Sequence, residues 1–310
     1  MVKVSIVVAA YNVGKYLDRC LDSLVRQTLD DIEIIVVNDA SSDNTLSIIE
    51  EYCRRNSNIV LVNHEKNMGI GRTRNDGIKM ASGEYIGFVD GDDYVEPDMF
   101  EKYYEHARKH DLDIVYGGYF EDRDDVITPI VIRSFENGTV EENPEILTKM
   151  ECGPVDKIYR SEIIKKNNIL FPEGIKYEDL PFVMIVADYG RIGCISEDYY
   201  HYVIHSNSES TTIDRRCFDL FKALDMVNDH YAGRHEREIE YFNVLHVTRH
   251  LLRQKYQKDK NAGRDFIEQG YDYLDGRFPN WRKNPYYVRQ SFARRMIKNS
   301  RLLTKLYCGL

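Results

Sequence analysis

Apolar runs and polar loops alternate regularly along the first 120 residues. VSIVVAA (4–10) is an unbroken apolar run rich in β-branched side chains, the mark of a strand buried on both faces. After it, Leu17, Cys20, Leu21, Leu24, Val25 and Thr28 recur at helical spacing. IEIIVVN (32–38) predicts a second buried strand. Ser42 or Asp43 can cap the helix that follows, with Leu46, Ile49, Tyr52 and Cys53 on one face. NIVLVN (58–63) predicts a third strand, 70–81 a helix and EYIGFV (84–89) a fourth strand. Pro97 suits the first turn of a helix over 97–109, and LDIVYGG (112–118) predicts a fifth strand.

Strands alternating with helices through short loops make βαβ units, hence an α/β, doubly wound, mostly parallel sheet of Rossmann-like type. Such sheets bind ligands at the carboxyl ends of their strands. Tyr11-Asn12, Asn38-Asp39 and the run Asp90-Gly91-Asp92-Asp93 all fall at that edge. Beyond residue 120 the pattern changes. VITPIVIR (126–133) reads as an edge or antiparallel strand, because Pro129 has no amide hydrogen for a central one. Short helices are expected near 143–151 and 160–167, a helix over 178–189, and one or two strands within 191–204. From 213 onward the spacing is helical, most clearly over 234–258. The expected organisation is a sheet domain over 1–212 and a helical region over 213–310.

The stretch FVDGDDY (88–94) carries the most chemistry. Three carboxylates crowd into four positions after an apolar run, where they repel one another and lose water at a cost. Oxygen ligands on a loop suit Mg²⁺ or Mn²⁺, which take one or two carboxylates and complete their shell with substrate phosphates. Gly91 removes a side chain where the backbone turns or approaches a ligand. The plainer alternative is a solvated acidic turn. Its position after a central strand, opposite two other polar loops, favours the cation.

Taken together, VSIVVAAYNVGKYLDRCLDSLVRQTLDDIEIIVVNDASSDNT and NMGIGRTRNDGIKMASGEYIGFVDGDDYVEPDMF closely resemble the family 2 glycosyltransferases of the GT-A fold. The resemblance covers residues 3–120 and continues more weakly to 212. It implies that Asp90 and Asp92 form the DxD motif, which holds a nucleotide-sugar diphosphate through Mn²⁺ or Mg²⁺. Asp39 matches the acceptor of a uracil N–H; as an acid at a helix N-terminus it also has a structural reading, and the two are compatible. Ala10 and Tyr11 match residues beside the base, and Asn67 and Arg74 positions lining the nucleotide pocket. Asp90 matches the residue facing the ribose and metal-bound water, Asp92 the metal ligand, and Asp93 an aspartate that either supports these groups from behind or faces the acceptor or sugar pocket.

FPEGIKYEDLPF (171–182) resembles the family's later acidic motif. The resemblance implies that Asp179 is the catalytic base and that Glu178 shapes the sugar or acceptor pocket together with residues 152–158. An acidic pair followed by Pro181 is also a helix-start pattern in its own right. In YHYVIHSNSEST (200–211), His205 matches a metal or phosphate ligand and Ser208 the diphosphate loop; His205 reads equally as a strand-end histidine. Many relatives carry an arginine near Val203 that this chain lacks, so either the loop does not close over the diphosphate or another base such as Arg215 or Arg216 supplies that charge. The implied activity is inverting, metal-assisted transfer of a sugar, of the hexosyltransferase type, from a UDP-sugar to a saccharide or lipid-linked glycan hydroxyl in polysaccharide or glycan biosynthesis. Two other readings are a non-catalytic nucleotide-sugar-binding protein and a sugar-phosphate nucleotidyltransferase. The second is disfavoured because VVAAYNVGK lacks the glycines of that class's first loop.

Composition sharpens this picture at three points. A net charge of −9 argues against nucleic-acid binding. Residues 281–310 nevertheless hold eight Lys or Arg and no acid, interleaved with Phe292, Met296, Ile297, Leu303, Leu306 and Tyr307. Such a segment reads as peripheral contact with an anionic membrane, as packing on the helical region, or as a homo-oligomer contact. The six cysteines are scattered without a CxxC pair, and the first residues lack a signal-peptide layout. The expected location is therefore cytoplasmic, at the inner face of the cell membrane if the tail binds lipid.

Overall fold

The computed structural model describes residues 1–205, 213–289 and 292–310. In chain order the elements are β1 (Val4–Ala10), α1 (Leu17–Val25), β2 (Ile32–Asn38), α2 (Thr45–Arg55), β3 (Ile59–Asn63), α3 (Ile70–Met80), β4 (Tyr85–Asp90), β5 (Tyr94–Val95), α4 (Met99–His110), β6 (Ile114–Arg123), β7 (Val126–Ile130), α5 (Ile146–Lys149), β8 (Lys157–Arg160) and α6 (Ser161–Lys166). They continue with α7 (Asp179–Asp188), β9 (Ile192–Val203), α8 (Asp219–His230), α9 (Glu236–Arg253), α10 (Lys260–Arg277), α11 (Pro285–Val288), α12 (Phe292–Lys298) and α13 (Arg301–Cys308). The chain divides into two compact units. The first holds Met1–Asn143, Met150–Gly174 and Phe182–His205; the second holds Pro144–Lys149, Ile175–Pro181 and the described residues from 213 onward.

The first unit is built on a nine-stranded sheet in the order β3-β2-β1-β4-β8-β6-β9-β5, with β7 paired to β6. β3, β2, β1 and β4 are parallel, as their continuous apolar runs predict. Every residue of β1 is buried. In α1 the buried side chains are Leu17, Cys20, Leu21 and Leu24, one stripe facing the sheet. Past β4 the sheet is mixed: β8 runs antiparallel to both β4 and β6, and β5 antiparallel to β9. The strand order reverses between β1 and β4, which lie side by side with Ala9 opposite Asp90. That reversal opens a crevice at the carboxyl ends of these strands.

Several local expectations shift. Helix α4 begins at Met99, so Pro97 stands outside it, and the Pro97 carbonyl accepts the Thr28 N–H at 2.9 Å. Helix α2 begins at Thr45, with Asp43 Oδ1 accepting the Thr45 N–H at 3.0 Å. β7 is an edge strand with Pro129 opposite Phe120, as the proline requires. Segment 192–203 forms the single strand β9, parallel to β6 with a register irregularity beside Tyr116 and Gly118.

The second unit is helical, with α9 and α10 of 18 residues each. Asp259 caps α10 by accepting the N–H groups of Asn261 and Ala262. Some of its buried polar groups pair with one another: Asn228 and Asn243 exchange amide hydrogen bonds at 3.1 and 2.8 Å, and Trp281 donates to Asp275 at 2.9 Å. The basic tail holds the short helices α11, α12 and α13, and Ser300 starts α13 afresh by accepting the Leu303 N–H. Among the described residues no helix is long and apolar enough to cross a membrane.

Candidate functional site

Side chains lock together the loops at the crevice. Asn12, in the left-handed region at φ 52°, donates its N–H to Ser41 Oγ at 3.0 Å, and its Oδ1 accepts the Ser42 N–H at 2.8 Å. Val13 donates to Thr45 Oγ1 and Gly14 to Asp43 Oδ2, both at 3.0 Å. The loops after β1 and β2 therefore move as one piece. Ala10 is buried beneath them, and Tyr11 is exposed above.

Asp39 is buried, and three protein groups satisfy its carboxylate. Oδ1 lies 2.7 Å from His64 Nδ1 and accepts the Met68 N–H at 2.7 Å; Oδ2 accepts the Gly69 N–H at 2.8 Å. Met68 and Gly69 lead into α3, so the helix-end role of Asp39 is present in the fold. A carboxylate offers about four acceptor sites, so Oδ2 keeps one to give. His64 Nε2 faces Asp76 Oδ2 at 3.2 Å. Burial tends to raise the Asp76 carboxyl, but Lys79 and Arg72 outweigh it and hold it below the ordinary aspartate range. A cavity of about 500 Å³ opens here, lined by His64, Glu65, Lys66, Met68, Arg72 and Asp76. Asn67 is exposed on the same loop. Sequence reading missed His64; its signal was a histidine one residue past a strand that ends beside Asn38.

The three carboxylates of the DGDD turn go to three different places. Asp90 Oδ1 accepts from the buried Arg74 guanidinium at 2.8 Å. Asp92 Oδ2 lies 2.9 Å from His205 Nε2, and the His205 ring stacks on Tyr16 at 4.6 Å. Asp93 points into the interior, where Tyr200 Oη donates to it at 2.5 Å and the Val203 N–H at 2.8 Å. The Tyr200 hydroxyl in turn accepts the Asp90 N–H at 3.2 Å. Burial raises the Asp93 carboxyl well above its ordinary range, with the charges of Asp92 and Asp90 adding to it. Burial and Asp90 also raise Asp92, against the pull of His205. Gly91 is needed for close approach: a Cβ there would meet Val13 Cγ2 at 2.9 Å and the Ala9 carbonyl oxygen at 3.0 Å.

Asp93 therefore ties the turn to β9 from inside. Asp93→Ala leaves the Tyr200 hydroxyl and the Val203 amide buried without their acceptor. We expect it to cost about 1–3 kcal/mol. A denaturant titration checks this; an unchanged midpoint would show that β9 does not depend on the link.

Asp92 and His205 supply one oxygen and one nitrogen side by side, in a neighbourhood with excess negative charge. That donor set fits a divalent cation whose remaining ligands are phosphate oxygens and water. Among the described residues no cluster of three or more potential ligands occurs. The residues present fit such an ion only together with a phosphorylated substrate.

Glu178 and Asp179 belong to the second unit. Glu178 is buried, and Asp179 opens α7 with its Oδ1 accepting the Leu180 N–H at 2.9 Å. The residue before them, Tyr177, sits at φ 70°, a backbone region that bulky side chains rarely adopt. It is held there on both sides: the Lys176 N–H donates to Asp219 Oδ2 at 3.2 Å, and the Tyr177 ring meets His250 edge-on at 4.9 Å. Arg215 and Arg216 are paired with Asp259 and Asp214. Ser208 lies outside the described residues. In the 152–158 stretch of the first unit, Lys157 is fully buried against Asp156 and donates to the Gly153 carbonyl at 2.7 Å. Burial pushes the Asp156 carboxyl up to about 6 against the pull of Lys157.

The sequence profile described as Glycosyl transferase family 2 matches residues 5–166. The chain is 35% identical over 266 residues to the uncharacterised glycosyltransferase EpsJ of Bacillus subtilis (strain 168), covering 80% of this chain and 77% of EpsJ. It is 34% identical over 222 residues to the poly(ribitol-phosphate) beta-glucosyltransferase of Bacillus spizizenii, covering 68% of this chain and 34% of that protein. The crystal structure of S. aureus TarS 1–349 in complex with UDP-GlcNAc superposes with a TM-score of 0.73 at 24% identity, covering 99% of this chain and 92% of that one.

Proposed function

This chain belongs to glycosyl transferase family 2 and has the GT-A fold, and from that premise we propose that it transfers a sugar, with inversion, from a UDP-sugar to a hydroxyl group of a growing glycan or polyol-phosphate polymer. Glycosyltransferase activity in glycan or polymer synthesis follows from the family; the donor, the metal and the base are this proposal. The observation that carries it is the pairing of Asp92 with His205 next to the Arg74–Asp90 ion pair, at the end of β4.

In this reading Asp39 uses its remaining acceptor site on the uracil N–H, and the bonds from Met68 and Gly69 fix the direction of that site. Arg74 holds Asp90 toward the ribose. Asp92 and His205 would hold Mn²⁺ or Mg²⁺, which when bound stabilises the negative charge of the departing diphosphate. Asp179 takes the proton of the acceptor hydroxyl as its oxygen bonds to C1 from the face opposite the diphosphate. The C1–O bond to the diphosphate breaks as the new bond forms, and UDP leaves with that electron pair. No second acid is needed, unlike the two carboxylates of glycosidases.

Calorimetry with a panel of UDP- and GDP-sugars, with and without Mn²⁺, tests the donor. UDP-sugars are expected to bind in a metal-dependent way, and Asp39→Ala to lose the preference for uracil. Equal binding of GDP-sugars by the wild type would refute the role of Asp39. Binding of UDP-sugars without turnover on any acceptor would favour the non-catalytic reading.

A further inference from the structure

Helix α13 turns its polar side inward and its apolar side to solvent, the reverse of an ordinary surface helix. Arg301 is held by Glu268 at 2.8 Å, Asp272 at 2.6 Å and Asp275 at 3.5 Å, and Lys305 is paired with Glu268 as well. Thr304 and Cys308 lie on the same inward side and are buried. The Thr304 hydroxyl pairs with Tyr271 Oη at 2.8 Å, and the Cys308 thiol reaches the Leu251 carbonyl at 3.4 Å. The bases of α13 are spent on α10, and the apolar stripe is what remains outside. Leu302 (66% exposed), Leu303, Leu306 (65%) and Tyr307 form that outward face.

Neighbouring groups extend the face. Tyr256 is 64% exposed. Lys255 Nζ lies 4.6 Å from the Tyr256 ring centroid and 3.2 Å from Tyr307 Oη, joining the two tyrosines. Lys258 and Lys260, the next bases along the chain, are exposed as Lys255 is. With Glu268 and Asp272 taken up by Arg301 and Lys305, the charge added at this rim is positive.

We propose that this face docks on the surface of an anionic bilayer, with Leu302 and Leu306 entering the boundary between headgroups and acyl chains. Tyr256 and Tyr307 then sit at headgroup level, where amphipathic rings are favoured. Lys255 and Lys260 meet anionic headgroups while their stems cover apolar surface. Charge decides between a bilayer and a second copy of the chain. A twofold contact lays the same patch on itself, which sets the lysines of one copy against those of the other. Size points the same way: eight helical residues span about 12 Å, and with a helix about 10 Å wide the face is on the order of 120 Å², short of the ~800 Å² per partner that a stable interface buries. The inference is independent of the donor and of Asp179, because its readout is binding and not transfer.

Sedimentation of the full chain with phosphatidylglycerol–phosphatidylcholine vesicles tests it, with pure phosphatidylcholine as the control. The wild type is expected to pellet with the anionic vesicles, less so at high salt, and to stay in solution with the neutral ones. The double variant Leu302→Ser/Leu306→Ser should bind at least about tenfold more weakly. Lys255→Gln/Lys260→Gln should lose most of the salt dependence. Both pairs are exposed, so their circular dichroism and denaturation midpoints should match the wild type. Wild type that stays in the supernatant, or a leucine variant that pellets equally well, would overturn the proposal. So would a concentration-dependent dimer by light scattering that the leucine substitutions dissolve, since it would assign the face to a second copy.

Discussion

Asp92→Ala is expected to abolish sugar transfer while leaving the protein as stable as the wild type, or slightly more so. The carboxylate is partly buried beside Asp90, and burial and that neighbour together raise its proton affinity. Its ionised form is therefore held at a cost that the fold does not need for its own sake. Removing it relieves the crowding, and the stacking of His205 on Tyr16 does not depend on it. Groups that merely support a metal ligand are typically worth 10–100-fold in activity, so loss of a direct ligand should exceed about 10². The pair of measurements is transfer at saturating Mn²⁺ and a denaturant titration. Near-wild-type turnover in the variant would remove Asp92 from the metal site. A large loss of stability with the activity loss would make it a structural carboxylate instead.

Asp179→Asn should lower turnover by about 10²–10⁴, the usual worth of a general base, with donor affinity nearly unchanged. The substitution suits the geometry. Asp179 Oδ1 accepts the Leu180 N–H at the start of α7, and the amide oxygen of asparagine can keep that bond. The helix therefore starts in the same place, and what is lost is the ability to take a proton. The discriminating measurement is kcat against donor Kd. If donor binding falls as far as turnover, Asp179 contributes to the donor site and the base is another residue.

Much of the first unit is legible in the sequence because local chemistry and the final fold agree there. Unbroken β-branched runs such as VSIVVAA can satisfy themselves only as strands covered on both faces, and the spacing of Leu17, Cys20, Leu21 and Leu24 only as a helix lying on them. A chain built this way has to bring its strand ends, and with them Asn12, Asp39 and Asp90, to one edge. What each of those groups touches is a different matter, because partners far apart in the chain meet only when the sheet closes. Asp93 reads like its neighbour Asp92, yet β9, some 110 positions away, draws one carboxylate inward through Tyr200 and Val203 and leaves the other facing His205. The mixed pairing of β8 and β9 likewise depends on strand contacts that four-residue and interrupted patterns do not specify. In the tail the sequence shows an apolar stripe and a set of bases. Only the acids Glu268, Asp272 and Asp275 on α10 decide which of the two turns inward, because a paired ion can be half-buried where an unpaired one cannot.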